Sequence, residues 1–250
     1  MAVSVKSARE IELMRESCKI LAEVHEKLGE AICPGISTAE IDALGERLIR
    51  ESGCIPNFLN YNGYPASVCV SVNDEVVHGI PSKTRILKEG DIVSLDAGLI
   101  YKGYHSDAAR TYGVGRISEE AEKLIQVTKQ SFFEGIKKAR AGNHLYDISA
   151  AIDAYVSSYG YGIVRSLVGH GIGTALHEDP QIPNFKQWRR GLKLQAGMTL
   201  AIEPMINMGG YEVAWLDDDW TVVTQDGSLS AHYENTVLIT DGEPEILTLP

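Results

Sequence analysis

The chain has 250 residues, 44% of them hydrophobic, and 34 Asp and Glu against 23 Lys and Arg, which gives a net charge of −11. This acidic balance disfavours nucleic acid and anionic membranes as partners. No apolar run reaches the roughly 18 residues of a membrane-spanning helix, no signal peptide is evident, and the four cysteines form no C-x-x-C pair, so we expect a cytoplasmic protein with free thiols.

Two helices are predicted within the first 52 residues. Ser7-Ala-Arg-Glu10 forms a capping box, in which the Ser and Glu side chains satisfy backbone N–H groups at the start of a helix, and apolar residues follow at helical spacing to about Ile32. Ser37-Thr-Ala-Glu40 predicts a second helix, which should end at Ser52 because Gly53 suits a C-terminal cap.

Two β-hairpins are expected next. Residues 68–80 alternate in hydrophobicity and contain an Asn73-Asp74 turn, and residues 91–113 form a second strand-like run. If the second hairpin turns at Tyr101 and Lys102, directly opposed residues have numbers that sum to 203. This register predicts a pairing between the two acids of the run.

Asp96 and Asp107 satisfy that sum and would share one face of the sheet. Like charges at opposed positions destabilise a sheet unless something neutralises them, and a divalent metal ion is the usual neutraliser. A solvated hairpin with two surface acids is the alternative on this stretch alone. A slip of one residue caused by a bulge at Gly103 would place the two acids on opposite faces.

The second half of the chain repeats the same kinds of element. Ser118 opens a helix that should run to about Ala141, and a further helix is expected from Tyr146 to Tyr159. Short strands are predicted at 162–168, 198–204, 220–224 and 232–239. Helices and antiparallel strands in succession, without regular βαβ alternation, indicate the α+β class.

An internal repeat occurs at an offset of 107 residues. Residues 87–96 (LKEGDIVSLD) align with 194–203 (LQAGMTLAIE), and the same offset carries Gly35 onto Gly142 and Gly53 onto Gly160. We therefore expect a single catalytic domain over 1–250, built from two halves of roughly 1–115 and 116–250 that are related by a pseudo-twofold axis.

The repeat gives each acid of the first half a counterpart in the second half. Glu203 corresponds to Asp96, and His105-x-Asp107 is echoed by His232-x-Glu234. Four carboxylates would then converge at the centre of the molecule. Such a cluster cannot stay ionised when buried unless cations neutralise it.

Histidines can complete a metal site of this kind. The segment 169–177 (GHGIGTALH) carries His170 and His177 in a glycine-rich setting, but it has neither the G-x-G-x-x-G spacing of a nucleotide loop nor an H-E-x-x-H zinc motif. Carboxylates with one or two imidazoles suit a pair of divalent ions such as Co, Mn, Fe(II) or Zn.

Taken in order, these motifs resemble a type I methionine aminopeptidase of the bacterial kind. The resemblance extends from about Ser7 to the end of the chain and rests on the following motifs: His78-Gly-Ile-Pro81, Asp96 with Asp107, Gly169-His-Gly-Ile-Gly173, His177, Ile202-Glu-Pro204 and Tyr233-Glu-Asn-Thr236. It implies the duplicated pita-bread fold and a metalloprotease that hydrolyses the first peptide bond of N-terminal methionyl peptides. It further implies a monomer that acts on nascent chains at the ribosome, with a preference for a small second residue.

The resemblance also implies a dinuclear site in which each ligand has a position. Asp107 and Glu234 would bridge the two metals, Asp96 would chelate one ion, and His170 and Glu203 would complete the other. The free α-amino group of the substrate would bind one metal, which makes the enzyme an exopeptidase.

Three residues are expected to act on the substrate by the same resemblance. Glu203 is the candidate general base for the attacking water, and His177 would donate a hydrogen bond to the developing oxyanion. His78 would contact the scissile amide or pass a proton to the leaving amine.

The resemblance assigns the methionine pocket to apolar, aromatic and sulfur-containing side chains, which suit a thioether. Those assigned to it are Tyr61, Tyr64, Cys69 and Trp220, together with Phe58 and Leu176, which stand where a cysteine and a phenylalanine are usual.

Two alternatives remain at this point. A proline-specific peptidase or creatinase relative shares the fold, although such proteins usually carry an extra N-terminal domain and Asp96 is reached here after fewer than 100 residues. A non-catalytic pita-bread binding protein would keep the fold but lose metal ligands.

Overall fold

The computed structural model describes residues 3–249. The helices are Ala8–Glu30 (α1), Thr38–Glu51 (α2), Glu119–Ile136 (α3) and Leu145–Ser157 (α4), with a 3-10 turn at Tyr61–Gly63. The strands are Ile55–Pro56 (β1), Val68–Val72 (β2), Glu75–Val77 (β3), Ile92–Tyr101 (β4), Tyr104–Gly113 (β5), Gly162–Ile163 (β6), Gly169–Gly171 (β7), Glu178–Ile182 (β8), Thr199–Ile202 (β9), Met205–Asn207 (β10), Val213–Trp215 (β11), Val222–Thr224 (β12), Ser230–His232 (β13), Glu234–Leu238 (β14) and Glu245–Ile246 (β15).

One large antiparallel sheet crosses both halves of the chain. Its strand order is β1-β4-β5-β14-β9-β7-β8, with β2 also paired to β4 and β15 to β14. Two small sheets, β13-β10-β6 and β11-β12-β3, flank it. The α+β class predicted from the sequence is confirmed. The β5–β14 ladder joins the two halves of the sequence within the large sheet, and the β3–β12 ladder joins them in a small one.

Each half of the sheet is covered by its own pair of helices. The apolar face of α1 and α2 packs on the first-half strands, where Leu28 and Leu95 belong to one buried cluster. Phe132 of α3, Ile152 of α4 and Leu200 of β9 belong to a second cluster. The helical spacing of apolar residues explains why these faces are buried. Both predicted capping boxes are confirmed, at Ser7 and Ser37.

Several backbone features recur after 107 residues. The glycines in the left-handed region include the pairs Gly35 and Gly142, Gly53 and Gly160, and Gly90 and Gly197. The isolated bridge between Ser37 and Ile86 has its counterpart between His144 and Lys193. These features agree with a duplicated architecture, while the division into halves near residue 115 stays a prediction.

The predicted register of the β4–β5 hairpin was wrong. Asp96 lies opposite Ala109 and Asp107 lies opposite Gly98, so paired numbers sum to 205. The turn is formed by Lys102 and Gly103, whose φ values of 49° and 84° give the type of tight turn that matches the twist of paired strands. Because the sum changed by two, Asp96 and Asp107 keep the same face and are diagonal neighbours.

Two other boundaries also differ from the predictions. The strands of the predicted 68–80 hairpin belong to different sheets, since β2 pairs with β4 and β3 pairs with β12. Asn73, with φ of 60°, redirects the chain between them. The helix expected to reach Ala141 ends at Ile136, because the N–H groups of Lys138 and Ala139 donate to carbonyls only three residues back.

The hairpin turn can be tested through Gly103. Its φ of 84° is unfavourable for a residue with a Cβ, although space around the residue is open. We expect Gly103→Ala to lower the free energy of unfolding by about 1–2 kcal/mol, measured by urea denaturation. Gly242→Ala is the matched control, because a Cβ there meets only the Thr240 hydroxyl at 3.9 Å. Equal stability of Gly103→Ala and the control would contradict the turn geometry.

Candidate metal centre

One cleft is lined by all the candidate metal-binding, catalytic and methionine-pocket residues that the sequence predicted. Its cavity volume is about 220 Å³. The lining residues are Phe58, Tyr61, Asn62, Tyr64, Cys69, His78, Asp96, Asp107, His170, Leu176, His177, Glu203, Trp220 and Glu234. Residues far apart in sequence therefore form one site.

The candidate metal ligands come from neighbouring strands of the large sheet. Asp96 lies on β4, Asp107 on β5 and Glu234 on β14, while His170 lies on β7 and Glu203 directly follows β9. The β5–β14 ladder pairs Glu234 with Ala109 and so brings the second-half acids beside those of the first half. Because strands hold side chains in a fixed order and direction, the sheet itself sets the spacing of the cluster.

The cluster is compact and buried. Asp107, His170 and Glu234 each present a ligand atom within 4.8 Å of the others. His170 Nε2 lies 3.7 Å from Asp107 Oδ2 and 3.7 Å from Glu203 Oε1. These separations are too long for hydrogen bonds, and oxygens of Asp96, Asp107 and Glu234 have no hydrogen-bond partner among the described residues.

Burial and mutual repulsion oppose ionisation of these acids. Burial raises the pKa of Asp96 to about 7, with the Glu203 carboxylate adding to the rise. Burial also raises the pKa of Asp107, Glu203 and Glu234 well above their usual range, and for Asp107 and Glu234 the neighbouring carboxylates add to this. Divalent cations would reverse this effect by favouring the charged carboxylates. The orphaned oxygens and their close approach therefore fit metal ligands.

The tautomer of His170 suits the same role. Its Nδ1 donates to the carbonyl of Gly171 at 2.9 Å, which leaves the Nε2 lone pair facing the carboxylates. Burial lowers the pKa of His170 to about 3, so the ring is neutral near pH 7. A neutral imidazole whose second nitrogen donates to a backbone carbonyl is a usual metal ligand.

His177 and His78 lie on the walls of the cleft rather than in its floor. His177 is exposed, and its Nδ1 lies 2.8 Å from the Tyr61 hydroxyl. His78 follows β3 with φ of 59°, an uncommon conformation for a residue with a side chain. Its ring is nearly perpendicular to that of Trp220, and the two ring centroids are 6.3 Å apart. Both imidazoles can therefore face a substrate above the carboxylates.

The apolar side chains form the remaining wall. Tyr64 and Trp220 meet edge to face with ring centroids 5.1 Å apart, and the Tyr64 hydroxyl donates to the carbonyl of Gly79. Phe58, Cys69 and Leu176 are buried in the same cluster as Tyr64. This wall is suited to a flexible, apolar side chain such as a thioether.

Sequence reasoning did not assign functional roles to two residues of the site. Asn62 lines the cleft from the turn at Tyr61–Gly63, with φ of 51°, and nothing in its local sequence marks it out. His232 is buried, and its Nε2 lies 3.6 Å from Glu203 Oε2. The parallel between His105-x-Asp107 and His232-x-Glu234 was the signal that could have identified it.

Comparison with known proteins agrees with this geometry. The profile of Metallopeptidase family M24 matches residues 12–241. The chain is 57% identical over 247 residues to a methionine aminopeptidase of Clostridium acetobutylicum, covering 99% of each protein.

Two solved structures have a similar fold. The crystal structure of a methionine aminopeptidase from Thermotoga maritima is similar with a TM-score of 0.97 and 43% identity, covering 100% of both chains. An Xaa-Pro dipeptidase from Bacillus anthracis is similar with a TM-score of 0.78 and 25% identity, and the match spans 98% of this chain but 61% of that one. The expected pita-bread fold is confirmed by these neighbours.

The acid cluster predicts a pH effect in the metal-free protein. Asp96 has a pKa of about 7 in the folded state against 3.8 as its ordinary value, so its contribution to stability is complete below pH 3.8 and is lost as pH rises through 7. The Asp96→Asn side chain cannot ionise. The free energy of unfolding of this variant, relative to wild type, should therefore increase by about 2–3 kcal/mol as the pH rises from 5 to 8.

Urea denaturation in the presence of a chelator measures this difference. Asp241→Asn is the matched control, because it makes the same change at an exposed residue that does not line the cleft. A stability difference between Asp96→Asn and wild type that does not vary with pH would contradict the burial of an uncompensated carboxylate.

Proposed function

The chain belongs to metallopeptidase family M24, and we propose that it is a methionyl aminopeptidase that removes the N-terminal methionine from peptides and nascent chains with a small second residue. The observation that carries this proposal is the cleft itself. Four carboxylates and one neutral histidine form its floor, two histidines stand on its walls, and aromatic and apolar side chains close one side.

The proposed ligand set uses all five floor residues. Asp107 and Glu234 would bridge two divalent ions, Asp96 would bind one of them, and His170 with Glu203 would bind the other. This assignment is supported by the burial of Asp107, His170 and Glu234, by the half-buried positions of Asp96 and Glu203, and by the free Nε2 lone pair of His170. When bound, such ions lower the pKa of a coordinated water and polarise the scissile carbonyl. The metal itself is left open among Co, Mn, Fe(II) and Zn.

Glu203 is the proposed general base. It lies at the end of β9, between the rings of His170 and His232, and its backbone carbonyl accepts a hydrogen bond from Asn184. This position at the edge of the carboxylate cluster would let Glu203 accept a proton from the attacking water.

The wall histidines act on the peptide bond in this proposal. The Tyr61 hydroxyl occupies Nδ1 of His177, so Nε2 is the nitrogen free to donate to the developing oxyanion. His78, held beside Trp220, would contact the scissile amide. The methionine side chain would enter the wall formed by Tyr61, Tyr64 and Cys69 with Phe58, Leu176 and Trp220.

The cellular setting follows from the proposed substrate. N-terminal methionyl chains emerge at the ribosome, so we place the enzyme in the cytoplasm near that source, acting as a monomer. All four cysteines are free, which agrees with a reducing compartment. Within residues 3–249, the helices are too short or too polar to cross a membrane.

Substrate choice tests the proposal. Protein loaded with Mn or Co should release methionine from Met-Ala-Ser and leave Ala-Pro peptides intact, as measured by chromatography of the free amino acid. Chelation should abolish release, and added divalent metal should restore it. Cleavage of only the proline peptide would favour a proline-specific enzyme, and metal-loaded protein that is inert on both would favour a binding role.

The proposed base can be tested by an isosteric change. Glu203→Gln should lower kcat for Met-Ala-Ser by about 100-fold to 10,000-fold, because proton transfer to a positioned side chain contributes about that much. Glu26→Gln, on the exposed face of α1, is the matched control and should keep wild-type activity. Retention of most activity by Glu203→Gln, with the protein folded, would remove Glu203 from the mechanism.

A further inference from the structure

The residues that precede α1 lie against the segment that carries His177. Lys6 donates its backbone N–H to the carbonyl of Gly197 at 2.8 Å, which fixes this N-terminal stretch to the loop before β9. Although Lys6 is charged, it is only 7% exposed. A lysine so deeply buried requires an ionic partner.

Glu178, the residue after His177, is that partner. Lys6 Nζ donates to Glu178 Oε2 at 2.6 Å, and the Ser4 hydroxyl donates to the same oxygen at 2.6 Å. The other oxygen, Oε1, accepts the backbone N–H groups of Thr174 at 2.8 Å and Ala175 at 3.3 Å. Glu178 therefore connects the N-terminal stretch to both ends of the 174–178 turn.

The fit around the ion pair requires a glycine. A Cβ at Gly173 would lie 2.5 Å from Lys6 Cε and 2.6 Å from Glu178 Oε1. The carbonyl of Gly173 also accepts the N–H of His105, which fixes this point to β5. The last glycine of the Gly169–Gly173 stretch, which metal binding leaves unexplained, makes room for Lys6.

The Lys6–Glu178 ion pair is less screened by solvent than a surface salt bridge. The side chains of Lys6 and Glu178 are 4% and 14% exposed, and their interaction is little screened by solvent. Although burial raises the pKa of Glu178, the hydrogen bonds from Lys6 and Ser4 outweigh it and the pKa is lowered. Loss of either partner would leave an unpaired buried charge and force the turn to rearrange.

His177 depends on this turn for its position. Its exposed ring has one hydrogen bond, between Nδ1 and the Tyr61 hydroxyl, and its centroid lies 4.2 Å from that of the His170 ring. Its backbone belongs to the turn that ends at Glu178, so a shift of this turn would move the ring. A displacement of about 1 Å in a catalytic group can cost roughly 100-fold in rate. The N-terminal stretch can therefore influence the position of His177, although it lies outside the cleft.

We propose that Lys6 is a positioning residue for His177, acting through the Glu178 carboxylate and the 174–178 turn. This inference rests on the proposed aminopeptidase function. The N-terminal stretch is then part of the catalytic apparatus, although it does not line the cleft.

Lys6→Met, which keeps the aliphatic stem but removes the charge, tests the proposal. On Met-Ala-Ser we expect kcat to fall about 10-fold to 100-fold with little change in KM, because His177 acts on the transition state. Glu178→Gln should show the same loss. Lys137→Met is the matched control, since it breaks the exposed pair with Glu134 and should leave kcat unchanged.

A double-mutant cycle separates positioning from general damage. In the His177→Ala background, Lys6→Met should cause no further loss of kcat, because its target is already gone. An equal loss in both backgrounds would overturn the proposal. Wild-type protein inert on Met-Ala-Ser would instead contradict the proposed function.

Hydrogen exchange gives a readout that does not depend on activity. The backbone amides of the 174–178 turn should exchange at least 10-fold faster in Lys6→Met, while amides of β5 and β14 keep their protection and Mn²⁺ binding measured by calorimetry stays unchanged. Unaltered exchange in the turn would overturn the proposal, as would a loss of protection spread over the whole sheet.

Discussion

The convergence of four carboxylates at one point of the large sheet, two of them buried and two half-buried, is the constraint on which the rest of this structure depends. Asp107 and Glu234 are about as buried as the surrounding leucines, yet oxygens of both have no hydrogen-bond partner within residues 3–249. A fold can keep such groups together only if protons or cations compensate them. The β5–β14 ladder, which joins the two halves, is therefore also the element that creates the demand for metal.

The guanidinium of Arg110 lies near this cluster but donates its hydrogen bonds to other groups. Arg110 is half-buried, and its guanidinium donates to the carbonyls of Ala109, Glu234 and Thr248 and to the side chain of Asn235. It connects β5, β14 and the C-terminal residues. Its charge lowers the pKa of Glu234, but burial and the neighbouring carboxylates raise that pKa by more. Because both terminal nitrogens of Arg110 donate to carbonyl and amide oxygens, the guanidinium does not neutralise the carboxylates of the cleft.

The floor of the site could be predicted from the sequence because strand geometry is regular. The 107-residue repeat identified Glu203 as the counterpart of Asp96, and the shared His-x-acid pattern identified Glu234 as the counterpart of Asp107. An alternating strand then fixes which side chains share a face. The exact hairpin register could not be predicted, since either of two adjacent dipeptides could form the turn and only the left-handed conformation of Lys102 and Gly103 decides between them. The error was harmless because a shift of two in the paired sum preserves the face.

The residues on the walls of the cleft are positioned by turns rather than by regular strands. His78 sits in a left-handed conformation beyond β3, and His177 sits on a turn whose shape is set by Lys6 and Glu178, residues 172 positions apart. No local pattern encodes such contacts, so the roles of these two wall residues were predicted only from the resemblance to a family. The candidate metal ligands thus lie on the most regular part of the fold, while the residues proposed to meet the substrate lie on turns held by distant side chains. Because of this division, the turns can change without disturbing the ladder that holds the carboxylate cluster, so one fold can carry sites for different substrates.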